Sequence, residues 1–131
     1  MRVLSDKINA LVERVLGAAI EVHRALGPGY LERVYEAALA VELSLRGIKF
    51  ERQSPVSVVY KVHLCGEGRL DFLVEGELIL ELKTVEKLGD IHDAQVLSYL
   101  KATDLELGIL LNFYSTILKN GIRRIIRPSN P

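Results

Sequence analysis

The chain has 131 residues, 49% of them hydrophobic, enough for one core and too few for two ordinary ones, so residues 1–131 are expected to form a single domain. Seventeen basic residues balance seventeen acidic ones and aromatics make up only 6%, which excludes a protein that coats nucleic acid through bulk positive charge. No apolar run is long enough to span a membrane, the start meets charge at Arg2, Asp6 and Lys7 rather than reading as a signal peptide, and the single Cys65 cannot form an internal disulfide, so a cytoplasmic protein is expected.

Leu4, Ile8, Leu11, Val15, Ala19, Val22 and Leu26 recur every three or four residues, the period of a helix that buries one face. Asp6 supplies an acid near its start, and Gly27-Pro28-Gly29 ends it. A second helix is predicted from Leu31 to Arg46, with Leu31, Val34, Ala38 and Leu45 inward and Gly47 as its stop. Lys49 to Gln53 reads as a short strand, and Val56 to Val62, β-branched and partly alternating, as another. Two apolar strands follow, Arg69 to Val74 and Leu78 to Lys83. Gly89-Asp90 then opens a third helix that runs to Ala102, with Asp90 as N-cap and Ile91, Ala94, Leu97 and Leu100 inward. Leu107 to Phe113 is a continuous apolar run, hence a buried strand. No repeat, linker or low-complexity segment interrupts this order, and Pro128 to Pro131 reads as a frayed tail.

Charge in the two middle strands is the most informative feature. Asp71 lies within Leu70-Asp71-Phe72-Leu73-Val74, and Glu81 and Lys83 lie within Leu80-Glu81-Leu82-Lys83. Unpaired charges are costly in strands this apolar, so three of them together point to a site for something charged. Two carboxylates suit a hard cation such as Mg²⁺, and a lysine beside them suits a phosphate or a water to be deprotonated. The register follows from pattern. Residues opposite each other in an antiparallel pair share a face, so the apolar faces match when Leu70 opposes Leu82, Phe72 opposes Leu80 and Val74 opposes Leu78. That requires a three-residue loop, Glu75-Gly76-Glu77, with Gly76 free to take a positive φ. Asp71 then faces Glu81 with Cβ atoms roughly 5 Å apart. Two carboxylates so close repel unless a cation or a proton lies between them.

Two helical sets accompany this hairpin. Glu32, Tyr35 and Glu36 share a face of the second helix, and His92, Gln95 and Tyr99 share a face of the third. Taken singly, a glutamate in a first turn is explained by the helix dipole, and a polar helical triplet by solvent. His23, His63 and His92 are too scattered for a zinc site, and no Walker loop, Gly-x-Ser-x-Gly, paired CxxC or dinucleotide fingerprint occurs.

Gly29-Tyr30-Leu31-Glu32-Arg33-Val34-Tyr35 matches the signature of the GxxExxY proteins. Gly27-Pro28 before it and Gln53-Ser54-Pro55-Val56, Val59-Tyr60-Lys61, Asp71, Glu81-Leu82-Lys83, Gln95 to Lys101 and Leu111-Asn112-Phe113 after it complete the resemblance, from about Ile8 to Ile126. That family is assigned to the PD-(D/E)XK nuclease superfamily. The resemblance implies an α/β (α+β) fold with a restriction-endonuclease-like core, a central mixed β-sheet flanked by helices. It also implies a metal-dependent nuclease that hydrolyses phosphodiester bonds, with DNA favoured over RNA. One departure is Leu70 in place of the proline before Asp71, a position that supplies no ligand.

Carried over residue by residue, the resemblance assigns Asp71 and Glu81 to one Mg²⁺ or Mn²⁺, helped by the backbone carbonyl of Leu82. Glu32 supports that ion through water or binds a second. Lys83 holds the attacking water or the charge on phosphorus, Gln95 orients a water or phosphate oxygen, and Tyr35 and Tyr99 brace the site. Lys87, Lys119, Arg123, Arg124 and Arg127 are candidates for gripping substrate, against the plainer reading of a solvated terminal segment. The competing function is a non-catalytic module on the same fold that binds nucleic acid or protein, a partner or a second copy of itself. A third is a phosphoesterase acting on a small nucleotide. Retention of both acids, the lysine and Glu32 argues against a dead site.

Overall fold

A computed structural model of the protein describes residues 4–128. Residues 1–3, part of the segment read as unlike a signal peptide, and residues 129–131, most of the expected frayed tail, lie outside the described residues. Helix α1 (Asp6–Leu26) starts where the Ser5 side chain accepts the Ile8 N–H, with Asp6 in the first turn, and stops at Gly27. Its predicted stripe is buried as Ile8, Leu11, Val15, Ala19 and Val22, joined by Val12 and Ala18. Helix α2 (Glu32–Leu45) buries Tyr35, Leu39, Ala40 and Leu43, about one position round from the predicted face. Leu31 and Leu45, expected inside, are 63% and 77% exposed. The inward face is decided by Tyr35. Its ring stacks on Phe113 at 4.5 Å, and its hydroxyl donates to the Gly27 carbonyl, so the whole side chain can be buried without an unsatisfied polar atom.

The first predicted pair of strands is one continuous strand. β1 (Phe50–Tyr60) and β2 (His63–Val74) form a long antiparallel hairpin, followed by β3 (Leu78–Lys83). Pro55 does not divide β1 because β1 is an edge strand, where a missing N–H costs no ladder bond. Helix α3 (Asp90–Thr103) leads to β4 (Leu107–Asn112), and a 3₁₀ turn (Leu118–Gly121) leads to β5 (Ile122–Ile126). The sheet order is β1-β2-β3-β4-β5, antiparallel except for β3 and β4, which run parallel across the α3 crossover. The fold is therefore α+β, a mixed five-stranded sheet with three helices. β5 has no counterpart in the sequence reading, because Arg123 and Arg124 interrupt its apolar residues.

Helices α1 and α2 share one cluster with Phe72, Val74, Leu80, Leu82 and Leu111, while α3 shares another with Ile79, Leu88 and Leu110. Helix α3 turns Val96 and Leu100 inward, not Ile91, which is 74% exposed, nor Ala94. Its approach is set by Gly108, where an added Cβ would lie 2.5 Å from Val96 Cγ1. The β2–β3 loop is Glu75-Gly76-Glu77 with Gly76 at φ 68°, and Val74 opposes Leu78 and Phe72 opposes Leu80, as the face pattern requires. The pairing then stops. Leu70 was expected beside Phe72 and opposite Leu82, but it packs in the α3 cluster, so strict alternation fails at Asp71 between them. Among the described residues, no helix is long and apolar enough to cross a membrane.

Gly108→Ala forces Val96 or the sheet to shift. It should cost about 1–3 kcal/mol and lower the urea midpoint with the m-value unchanged. A midpoint equal to wild type would show that α3 does not rest on this contact.

Candidate active site

The break between β2 and β3 places the two acids. The Asp71 N–H donates to Glu81 Oε2 at 2.7 Å, and the Leu82 N–H donates to Asp71 Oδ2 at 2.8 Å. Side-chain oxygens thus take two backbone donors that a regular ladder would give to carbonyls. Each carboxyl spends one oxygen this way and leaves the other outside these bonds. Glu81 is 3% exposed because β3 lies inside the sheet, between β2 and β4. Burial, then the neighbouring Asp71 charge, pushes its pKa up to about 8, against the pull of the Asp71 N–H and Lys83. The Asp71 carboxyl is also raised, first by burial and further by Glu36, while the Leu82 N–H, Lys83 and Gln53 oppose the shift. Glu32, exposed at the start of α2, is raised by the partial desolvation of its carboxyl and then by Asp71, and Lys83 again opposes.

Lys83 closes β3, in register with Asn112 on β4. Its Nζ donates to Gln95 Oε1 at 3.1 Å, and Gln95 Nε2 donates to the Tyr99 hydroxyl at 3.5 Å. The Tyr99 ring lies over β2, where a Cβ on Gly68 would meet it at 3.0 Å. Burial, then Glu81, raises the Tyr99 pKa. Asn112, buried, clamps the loop after Lys83: its Oδ1 accepts the Val85 N–H at 3.1 Å, and its Nδ2 donates to the Val85 carbonyl at 2.8 Å.

Several candidates lie elsewhere. His92 does not join Gln95 and Tyr99, because its Nδ1 accepts the Gly89 N–H at 2.9 Å and so caps α3. Tyr35 is a core residue whose hydroxyl accepts the Tyr30 N–H at 3.2 Å and donates to Gly27, which fixes the turn preceding Glu32. Leu82, expected to act through its carbonyl, is fully buried and engages Asp71 through its N–H. Arg123 and Arg127 hold the far side of the molecule together. Arg123 Nη1 reaches both Asp93 oxygens at 2.7 Å, and Arg127 Nε donates to the Leu105 carbonyl at 2.9 Å. Arg123 lies in β5, the edge strand opposite β1, and Arg127 just after it, so the basic segment is structural at these two positions, while Lys87, Lys119 and Arg124 are exposed.

Three residues beside the acids went unassigned in the sequence. Glu36 is gripped by Arg52 Nη2 at 2.8 Å and by Gln53 Nε2 at 2.6 Å, and Gln53 Nε2 also lies 3.5 Å from Asp71 Oδ1. The spacing of Glu36 four residues after Glu32 was the available signal. Gln53 stood in the motif that carries the resemblance but had no assigned role, because it reaches Asp71 only through the pairing of β1 with β2.

Among the described residues, no three His, Cys, Asp or Glu side chains are grouped so as to hold a metal ion. The pair that faces across the strands is Asp71 and Glu81, with Glu32 near enough to be felt electrostatically. The donor chemistry nonetheless fits a hard divalent cation. Two oxygen-donating carboxyls lie where burial and mutual repulsion leave a shortage of positive charge.

The PD-(D/E)XK nuclease superfamily matches the chain over residues 9–125, and the chain belongs to it. Among solved structures, a crystal structure of SSO0001 is similar with a TM-score of 0.59 and 18% identity, over 75% of this chain and 50% of that one. The chain thus spans half the length of that protein, and the likeness is one of fold. No protein with a curated description matches.

The raised carboxyls set a pH dependence. Between pH 4.5 and about 8 the folded protein keeps a proton on the Asp71–Glu81 pair that the unfolded chain has released. Stability without divalent ions should therefore fall as pH rises through that window, by up to about 1.4 kcal/mol per pH unit. Denaturation in EDTA at pH 5, 6, 7 and 8 measures the slope, and Glu81→Gln should flatten it. Mg²⁺ should bind more tightly as pH rises, since it displaces that proton. A flat wild-type profile would mean that the pair titrates as ordinary surface acids.

Proposed function

We propose that this member of the PD-(D/E)XK nuclease superfamily is one of its GxxExxY proteins, a single-domain cytoplasmic nuclease that uses Mg²⁺ or Mn²⁺ to hydrolyse phosphodiester bonds in DNA. The observation that carries this reading is the exchange of ladder bonds for carboxyl bonds at Asp71 and Glu81. It holds the buried Glu81 against the half-buried Asp71, whose charge raises the cost of ionising Glu81, two residues before a lysine on the same side of β3.

Asp71 and Glu81 are the residues that would hold the cation, with the Leu82 carbonyl as a further oxygen donor and Glu32 contributing through water. Bound there, a divalent ion supplies positive charge that polarises a phosphate and lowers the pKa of a water. The remaining work falls to the chain's own groups. Lys83 presents a compact ammonium to the attacking water or to the oxygens that gain charge on phosphorus. Gln95 fixes that ammonium through its Oε1, and Tyr99 fixes Gln95 in turn. Tyr35 sets the turn from which Glu32 projects.

The test is cleavage of linear, circular, single-stranded and branched DNA with Mg²⁺ or Mn²⁺, with Glu81→Ala as an inactive control. Lys83→Ala should cut the rate on the order of 100-fold or more while leaving the unfolding midpoint and Mg²⁺ affinity near wild type. Lys83→Arg should not restore it fully, because a planar guanidinium does not replace a compact ammonium in a packed site. Equal rates in all three proteins would remove Lys83 from the mechanism. Metal-independent binding of DNA without cleavage would favour the non-catalytic module.

A further inference from the structure

Five non-glycine residues have positive φ among the described residues, and four of them, Lys61, Val62, Glu75 and Asp104, sit in turns or at a helix end. The fifth, Gln53, has φ 51° inside strand β1. An L side chain adopts that conformation inside a strand only at a cost. Arg52 pairs with Phe72 and Ser54 pairs with Leu70, but Gln53 and Asp71 between them do not pair. The backbone of Gln53 has left the ladder opposite the one acid on β2 that faces Glu81.

The exposed side chain turns its carboxamide to two acids. Gln53 Nε2 donates to Glu36 Oε1 at 2.6 Å and lies 3.5 Å from Asp71 Oδ1. Glu36 is held in turn by Arg52, whose Nε and Nη2 reach its Oε2 at 3.2 and 2.8 Å. On the other flank, Asp71 Oδ2 accepts the Leu82 N–H. The carboxyl is therefore steadied from β3 through one oxygen and from β1 through the other. A carboxamide suits the second task better than an arginine or lysine would. It donates to the carboxylate without neutralising it, so the negative charge stays available to a cation.

We infer that Gln53 is a positioning residue for Asp71, its carboxamide oriented by Glu36 so that Oδ1 is presented to a divalent ion. This rests on the metal-dependent reading above. A plainer role is also testable, in which the left-handed residue serves only to bend the sheet at Asp71. Gln53→Gly separates the two, since glycine accepts positive φ freely but carries no carboxamide. Gln53→Met keeps the length of the side chain and the backbone cost but loses the donor.

Mg²⁺ affinity is measured by calorimetry on the whole chain, alongside the unfolding midpoint in EDTA. Both variants should bind Mg²⁺ about tenfold more weakly than wild type, the usual loss when a group supporting a metal ligand is removed. The EDTA midpoint of Gln53→Gly should stay at or above wild type, so weaker binding in that variant is not a folding defect. If Gln53→Gly is unfolded, Gln53→Met decides by the same affinity criterion. Wild-type affinity in the folded variants overturns the inference and leaves the metal reading standing. A wild-type protein that binds no Mg²⁺ overturns both.

Discussion

The site depends on one substitution of partners: carboxyl oxygens standing in for carbonyls at the point where β2 leaves β3. Every polar group in a sheet interior needs a partner, so strands can diverge there only if something else takes their N–H groups. Asp71 and Glu81 do so reciprocally, each bonding the other strand. The arrangement joins what would otherwise be separate problems. It ends the ladder without orphaned donors, it holds a buried acid against a half-buried one, and it opens the sheet beside them. Removing either acid should therefore disturb the strands as well as the charge.

The remaining elements converge on that opening from both faces. The Gly27-Pro28-Gly29 break, tied by the Tyr35 hydroxyl, starts α2 on one side, where Glu36 is bonded by Arg52 and Gln53 of β1 and Glu32 feels the charge of Asp71. Gly108 lets α3 settle on the other, which brings Gln95 and Tyr99 to the end of β3. Asn112 pins the chain directly after Lys83. Charge near the acids is balanced sparingly. Arg52 is committed to Glu36, while Lys83 is bonded to the neutral Gln95.

The pairing of β2 with β3 was legible because both strands are short-range neighbours with clear apolar faces and a loop of fixed length. That placed Asp71 beside Glu81 but did not reveal the break there, where carboxyl oxygens take the strand amides and the ladder ends. The position of Gln53 was not legible for a specific reason. Tyr60 pairs with His63, but the register shifts between Val58 and Val59, so every pairing beyond is displaced by one residue. A bulge of this kind leaves no mark in a β-branched run, yet it brings Gln53 opposite Asp71. The face of α2 was misplaced because periodicity weighs Leu31 and Leu45 equally with central residues, although both lie at the helix ends. Strand β5 was hidden by its two adjacent arginines, Arg123, whose head bonds Asp93, and the exposed Arg124.

The reciprocal bonds also make two backbone amides into native spectroscopic probes. In most sheets an interior amide reports on a neighbouring carbonyl and is blind to chemistry. Here the amide protons of Asp71 and Leu82 terminate on the carboxyl oxygens themselves. Their nuclear resonance frequencies will follow proton loss, ion arrival or a displaced carboxyl directly, with no label and no substrate. Two peaks in an ordinary nitrogen–proton correlation map thus read the state of the candidate centre from inside the scaffold that builds it.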